Sequence, residues 1–126
     1  MQNDRILCSF ENGVLLVSFM NDAVISRKDL EEIYSYANAM AHGKRYGVLF
    51  EAFGRYTVNE DALEYMVKNP NNKNVIAKAY VTDSKETSTK AKLHLLFDKP
   101  ELKPFTFPDK AGALQWLYQM IIAAER

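Results

Sequence analysis

Side chains able to do acid–base, nucleophilic or metal chemistry are few in this chain and widely scattered. Glu51 is a carboxylate within an apolar run, close in sequence to Arg55 and Thr57. Such a group either carries a raised pKa and marks a site, pairs with Arg55, or sits in solvent at a strand end. Asp83, Ser84, Thr87, Ser88 and Thr89 form a hydroxyl-rich stretch after a predicted strand, the end at which open α/β sheets bind ligands. Its simpler reading is a helix start, with Asp83 as cap and Glu86 as the third helical residue. No glycine-rich loop accompanies it, so backbone amides lack the close approach that a pyrophosphate requires. Thr57 stands three residues before Glu60, a spacing that lets Thr57 cap a helix while Glu60 reaches back to its N–H. His42 and His94 are the only imidazoles, and neither belongs to a spacing suited to zinc, so no metal site is expected. Cys8 falls on the apolar side of a predicted strand, the place of a small buried hydrophobe rather than a reactive thiolate. These parts make no nucleophile, base and oxyanion site in one cleft, so neither catalytic residues nor a cofactor are assigned.

Composition bounds the rest. The 126 residues are 48% hydrophobic and 25% charged, which suits one domain over residues 1–126 with a core of its own. Sixteen basic and sixteen acidic side chains cancel, so no overall field draws the chain to nucleic acid or an anionic membrane. The longest apolar runs, residues 14–19 and 111–122, are too short to span a bilayer. The opening residues lack the pattern of a secretion signal and Cys8 has no partner cysteine, so a cytoplasmic setting is expected.

Positioning elements follow from periodicity. Asn12-Gly13 between two apolar runs predicts a hairpin pairing Phe10 with Leu15, Cys8 with Val17 and Ile6 with Phe19. Its other side, with Ser9 opposite Leu16 and Leu7 opposite Ser18, is mixed and expected to be more exposed. Ser26-Arg27-Lys28-Asp29 starts a helix whose Leu30, Ile33, Tyr34, Ala37, Met40 and Ala41 share one face, and Gly43 lets His42-Gly43 end it. Residues 46–53 predict a strand buried on both faces, Gly54-Arg55-Tyr56 a loop, and Thr57 the start of a second helix stopped by Asn69-Pro70. Residues 75–81 form the next strand, 85–97 a third helix, 103–107 a short edge strand, and Asp109 caps a final helix. The order ββαβαβαβα predicts an α/β domain: a mixed, mainly parallel sheet of about five strands with four helices. The final helix is apolar on two sides, Leu114, Leu117, Tyr118 and Ile121 on one and Trp116, Met120 and Ala123 on the other. The surplus is open to a neighbouring helix, a second subunit in a homodimer, or an apolar ligand.

Four stretches carry a family likeness: Ala77-Lys78-Ala79-Tyr80-Val81-Thr82-Asp83-Ser84, Leu95-Leu96-Phe97-Asp98-Lys99-Pro100, Phe105-Thr106-Phe107 and Ala113-Leu114-Gln115-Trp116-Leu117. With the order of elements, they resemble the SpoIIAA-like branch of the STAS domains, the fold of the anti-sigma factor antagonists. The resemblance implies a bacterial, cytoplasmic, non-enzymatic regulatory domain acting through a protein partner. In the regulatory members a phosphorylatable Ser lies in an Asp-Ser-Ser-Gly-like motif between the third strand and its helix. Residues 53–60 here read Phe-Gly-Arg-Tyr-Thr-Val-Asn-Glu, without that motif, and Thr57 is the nearest hydroxyl. The likeness therefore implies an altered phosphorylation or partner-binding loop at Gly54, Arg55, Tyr56, Thr57 and Glu60; Asp83 and Ser84, by their place at the carboxyl end of a predicted strand, are a second candidate, a ligand or partner turn. A phosphate on Thr57 would gain from a helix N-terminus but meet Glu60 and Asp61, unless Arg55 compensates. The alternative function is a carrier or sensor of a small apolar ligand, because relatives of this fold look similar to lipid-binding α/β domains and the chain holds seven Phe, seven Tyr and one Trp.

Overall fold

Asn12 and Gly13 both take positive φ, 51° and 82°, as a two-residue type I′ turn demands. They fold Ile6–Glu11 (β1) onto Val14–Phe19 (β2) in the expected register, Ile6 opposite Phe19, Cys8 opposite Val17 and Phe10 opposite Leu15. The computed structural model describes residues 1–69, 71, 73–81 and 105–125. Strand Ala23–Ile25 (β3) precedes helix Arg27–Ala41 (α1) and strand Tyr46–Ala52 (β4). Strand Tyr56–Val58 (β5), helix Glu60–Lys68 (α2) and strand Val75–Val81 (β6) follow. Strand Phe105–Phe107 (β7) and helix Lys110–Glu125 (α3) complete the described elements. The main sheet has five strands in the order β1-β2-β4-β6-β7, parallel except for the hairpin, and β3 and β5 form a separate parallel pair. The chain is thus the mixed α/β domain expected, with three described helices; the helix expected over residues 85–97 lies outside the described residues. So do Asp83, Ser84, Thr87, Ser88, Thr89, His94, Lys103 and Pro104.

Alternation along the inner strands sends side chains to two cores. On one face Leu15, Val17, Val48, Phe50 and Tyr80 pack with Leu30, Ile33 and Ala37 of α1 and Ala62 and Met66 of α2. On the other, Val14, Leu16, Leu49, Ala77 and Ala79 pack with Ala113, Leu117 and Ile121 of α3. This second core corrects the expectation of a more exposed hairpin side: Leu7 is exposed, but Leu16 and Ser18 are buried, because β2 is an interior strand with a helix above each face. Gly47 admits α3 closely, since a Cβ there would lie 3.1 Å from Leu117 Cδ2.

Helix ends follow local chemistry with two exceptions. Ser26 caps α1 in a complete capping box with Asp29, and Asp109 Oδ1 accepts from the Gly112 N–H at 2.7 Å to start α3. At the end of α1, however, His42 itself takes the left-handed conformation, φ 51°, ahead of Gly43 at 76°. The larger correction concerns Thr57. It lies in the middle of β5, paired with Val24, and α2 starts at Glu60 behind Asn59. Tyr56 and Val58 bury their side chains and the Asn59 N–H donates to Ile25 O at 2.9 Å, so pairing with β3 holds extended the residues that the capping pattern would have curled.

On α3, Trp116 packs against Phe105 and Phe107, with ring centroids 4.8 and 5.6 Å away. Met120 and Ile122 remain 38% and 52% exposed, so the fold covers only part of the helix's apolar surplus. Among the described residues, no helix is long and apolar enough to cross a membrane.

Candidate functional site

The segment after β4 is sewn to the one after β2. The Phe53 N–H donates to Phe19 O at 2.9 Å, the Arg55 N–H to Asn21 Oδ1 at 3.1 Å, and the Asp22 N–H to Arg55 O at 2.6 Å; β3 and β5 then pair. At Gly54 the chain takes φ 147° against the Asn21 side chain, where any Cβ would overlap Asn21 Oδ1. The expected loop is consequently a stiff strap beyond the carboxyl ends of β2 and β4.

Alternation on this strap separates structural from presented residues. Tyr56 is buried, edge-on to Phe19 with centroids 5.1 Å apart, and anchors the strap. Arg55 and Thr57 are exposed, as is Glu60 at the start of α2. Phe53, 58% exposed, and Val24, 49% exposed and opposite Thr57, add exposed apolar side chains. Sequence reasoning missed both: Phe53 was the end of a buried strand and Val24 belonged to no element. The strict alternation Phe53, Arg55, Thr57 against Tyr56 and Val58 was the signal available. Among the described residues Arg55 makes no salt bridge, which leaves its charge free for a partner.

Glu51 lies half-buried beside the strap, but its neighbour is across the sheet. The Ser18 hydroxyl donates to Glu51 Oε1 at 2.9 Å along the β2–β4 register, so the carboxylate pairs neither with Arg55 nor stands freely in solvent. Val81, the last described residue of β6, sits opposite Glu51, so β6 ends at the same edge of the sheet. Cys8 is buried, and that burial pushes its thiol up to about 12, despite the N-terminal ammonium nearby. It stays a neutral thiol, as its place in the hairpin predicts. His42 is exposed at the end of α1. Among the described residues no three His, Cys, Asp or Glu side chains gather to hold a metal.

At the opposite end of the sheet, where β2, β4 and β6 begin, a cleft of about 810 Å³ opens between α1, the hairpin turn and α3. Phe10, Met40, Ile76 and Ile121 form its apolar wall, and Lys44 and Arg45 stand on its rim.

Residues 8–121 match the family model for a domain of unknown function, DUF7793. The chain belongs to this family. None of the curated proteins matches the DUF7793 chain. Among solved structures it is similar to an uncharacterized protein of the DUF3478 family with a SpoIIAA-like fold from Shewanella loihica PV-4. The two share 17% identity over 93% of this chain and 98% of the other, with a TM-score of 0.56. At that identity the likeness concerns fold, and it agrees with the sequence motifs: this DUF7793 domain has a SpoIIAA-like, STAS-type fold. The strap and the cleft occupy opposite ends of that fold.

Proposed function

We propose that this DUF7793 chain is a non-enzymatic, cytoplasmic bacterial regulatory domain that acts by presenting its Gly54 to Glu60 strap to a protein partner. What carries the reading is the exposure of Phe53 and Val24 beside Arg55 and Thr57 on a backbone already held in place. Aromatic and arginine side chains dominate binding energy at interfaces, and a preorganised strap loses little entropy on docking. The absence of the Asp-Ser-Ser-Gly-like motif leaves Thr57 as the hydroxyl whose phosphorylation would add negative charge to this patch. Tandem capture from the native cell with wild type, Phe53→Ser and Arg55→Ala tests the proposal, with the intact mass of the chain recorded alongside. A partner held by wild type and lost from both variants supports it. The same partners in all three samples reject the strap as the binding surface.

A second reading, a carrier or sensor of a small apolar ligand, draws on the cleft at the other end of the sheet. Its volume falls within the range of small-molecule sites, and its walls are largely apolar.

A further inference from the structure

We infer that the cleft at the amino-terminal ends of β2, β4 and β6 takes an amphipathic monoanion, an alkyl carboxylate, with its head at Lys44 and Arg45. The inference rests on the ligand-carrier reading and names the chemistry of the ligand. Phe10, Met40, Ile76 and Ile121 line the cleft and offer the body of such a ligand apolar contacts. A second depression of about 370 Å³ shares Asn12, Ile121 and Glu125 with the cleft and adds Tyr118 and the exposed Ile122, which extends the apolar path along α3. Met40 is 40% exposed and lines this space, and an unbranched thioether adapts readily to an alkyl chain.

Charge decides the head group. Lys44 and Arg45 are exposed and line the cleft, and among the described residues neither is in a salt bridge, so two cations border the opening against the single carboxylate of Glu125. The carbonyl end of α1 reaches the same cleft and carries partial negative charge, which the two cations must outweigh for an anion to sit there. Glu125 stands on the α3 side of the cleft and disfavours a second negative charge on the ligand. The rim is preformed: the Lys44 N–H donates to Ala41 O at 2.9 Å, and the Gly47 N–H to Gly13 O at 3.0 Å. A carboxylate meeting an arginine and a lysine forms charge-assisted hydrogen bonds, while its alkyl chain leaves water.

Calorimetric titration of the full chain with decanoate, decanol and decylammonium, each below its aggregation threshold, tests this. Decanoate is expected to bind once per chain, and Lys44→Ala/Arg45→Ala to weaken it about tenfold or more while leaving decanol unchanged. Met40→Asp is expected to weaken both ligands, and circular dichroism of these exposed-site variants to match wild type. Decanol and decanoate binding equally, and insensitively to the paired alanines, would overturn the anion assignment while the carrier reading stands. Preference for decylammonium overturns it as well, placing the head at Glu125. Binding of none of the three rejects both readings. A dimer at the titration concentration that Met40→Asp dissociates, with no ligand taken up, makes the cleft a contact between copies and likewise rejects both.

Discussion

Gly54 shows how a single position can be set by a distant one. Its φ of 147° is a conformation that L side chains rarely adopt, and the Asn21 side chain occupies the space a Cβ would need. Gly54→Ala should therefore destabilise the chain by about 2 kcal/mol, through backbone strain and overlap together. Adding Asn21→Ala removes the overlap with Oδ1 and Cγ but neither the closer-than-contact Asn21 Cβ at 2.9 Å nor the strain, so the double variant should lose somewhat less than the sum of the single losses in urea melts. Additive losses, or a Gly54→Ala variant as stable as wild type, would show that the contact does not matter. Nothing local marks this glycine: a loop was readable from Gly54-Arg55-Tyr56, but the requirement comes from Asn21 on another segment. Cys8 is the contrary case, because hairpin register alone places it inside.

Elements with chemistry at their own ends were legible, and the short strands β3 and β5, held by each other, were not. Ser26 and Asp29 cap α1 as their spacing foretells, yet Asp29 does more. Its buried carboxylate also accepts from Arg5, Nη2 to Oδ1 at 2.8 Å, tying the chain ahead of β1 to the helix. Burial alone would raise the Asp29 pKa; hydrogen bonds from Arg5 and Ser26 and the Arg5 charge outweigh it and hold the carboxyl below its ordinary value. A folded-state pKa below the unfolded one makes the stabilisation complete above the ordinary carboxylate range, and it is lost as pH falls through the folded value. Asp29→Asn should cost about 2 kcal/mol at neutral pH, with the solvent access of Arg5 moderating the loss. The gap from wild type should narrow in acid, as followed by urea midpoints across the acidic range; a constant gap would remove the ionised carboxylate from the account. The pattern Thr57-Val58-Asn59-Glu60 satisfied the same capping rule and failed. Three-residue strands leave almost no periodic signal, and the pairing of β5 with β3 overrode the local preference.

At the scale of the molecule, the sheet separates two cores that share no side chain. Ile33 on α1 and Leu117 on α3 are both fully buried, on opposite faces. Ile33→Val should cost about 1 kcal/mol and Leu117→Ala about 3 kcal/mol. Their double variant should lose the sum to within about 0.5 kcal/mol, as expected of sites without common contacts. A larger discrepancy in chemical denaturation would mean that the two layers communicate through the strands between them.

The α/β class, the hairpin and its register, the strands of the main sheet, the caps of α1 and α3, and the likeness to the SpoIIAA-like fold are all legible in the order of residues. Each of these is written in spacings of a few residues, where periodicity and turn chemistry act directly. Packing in three dimensions settles which side of the hairpin is buried, how Ser18 satisfies Glu51, and why residues 53–58 form a stiff strap with Phe53 outward and Val24 of β3 exposed beside Thr57. It alone also opened the cleft between α1, the hairpin turn and α3. Those features depend on contacts between segments far apart in the chain, whose energies outweigh local preference and leave at most a short alternation, as over residues 53–58, in the spacing.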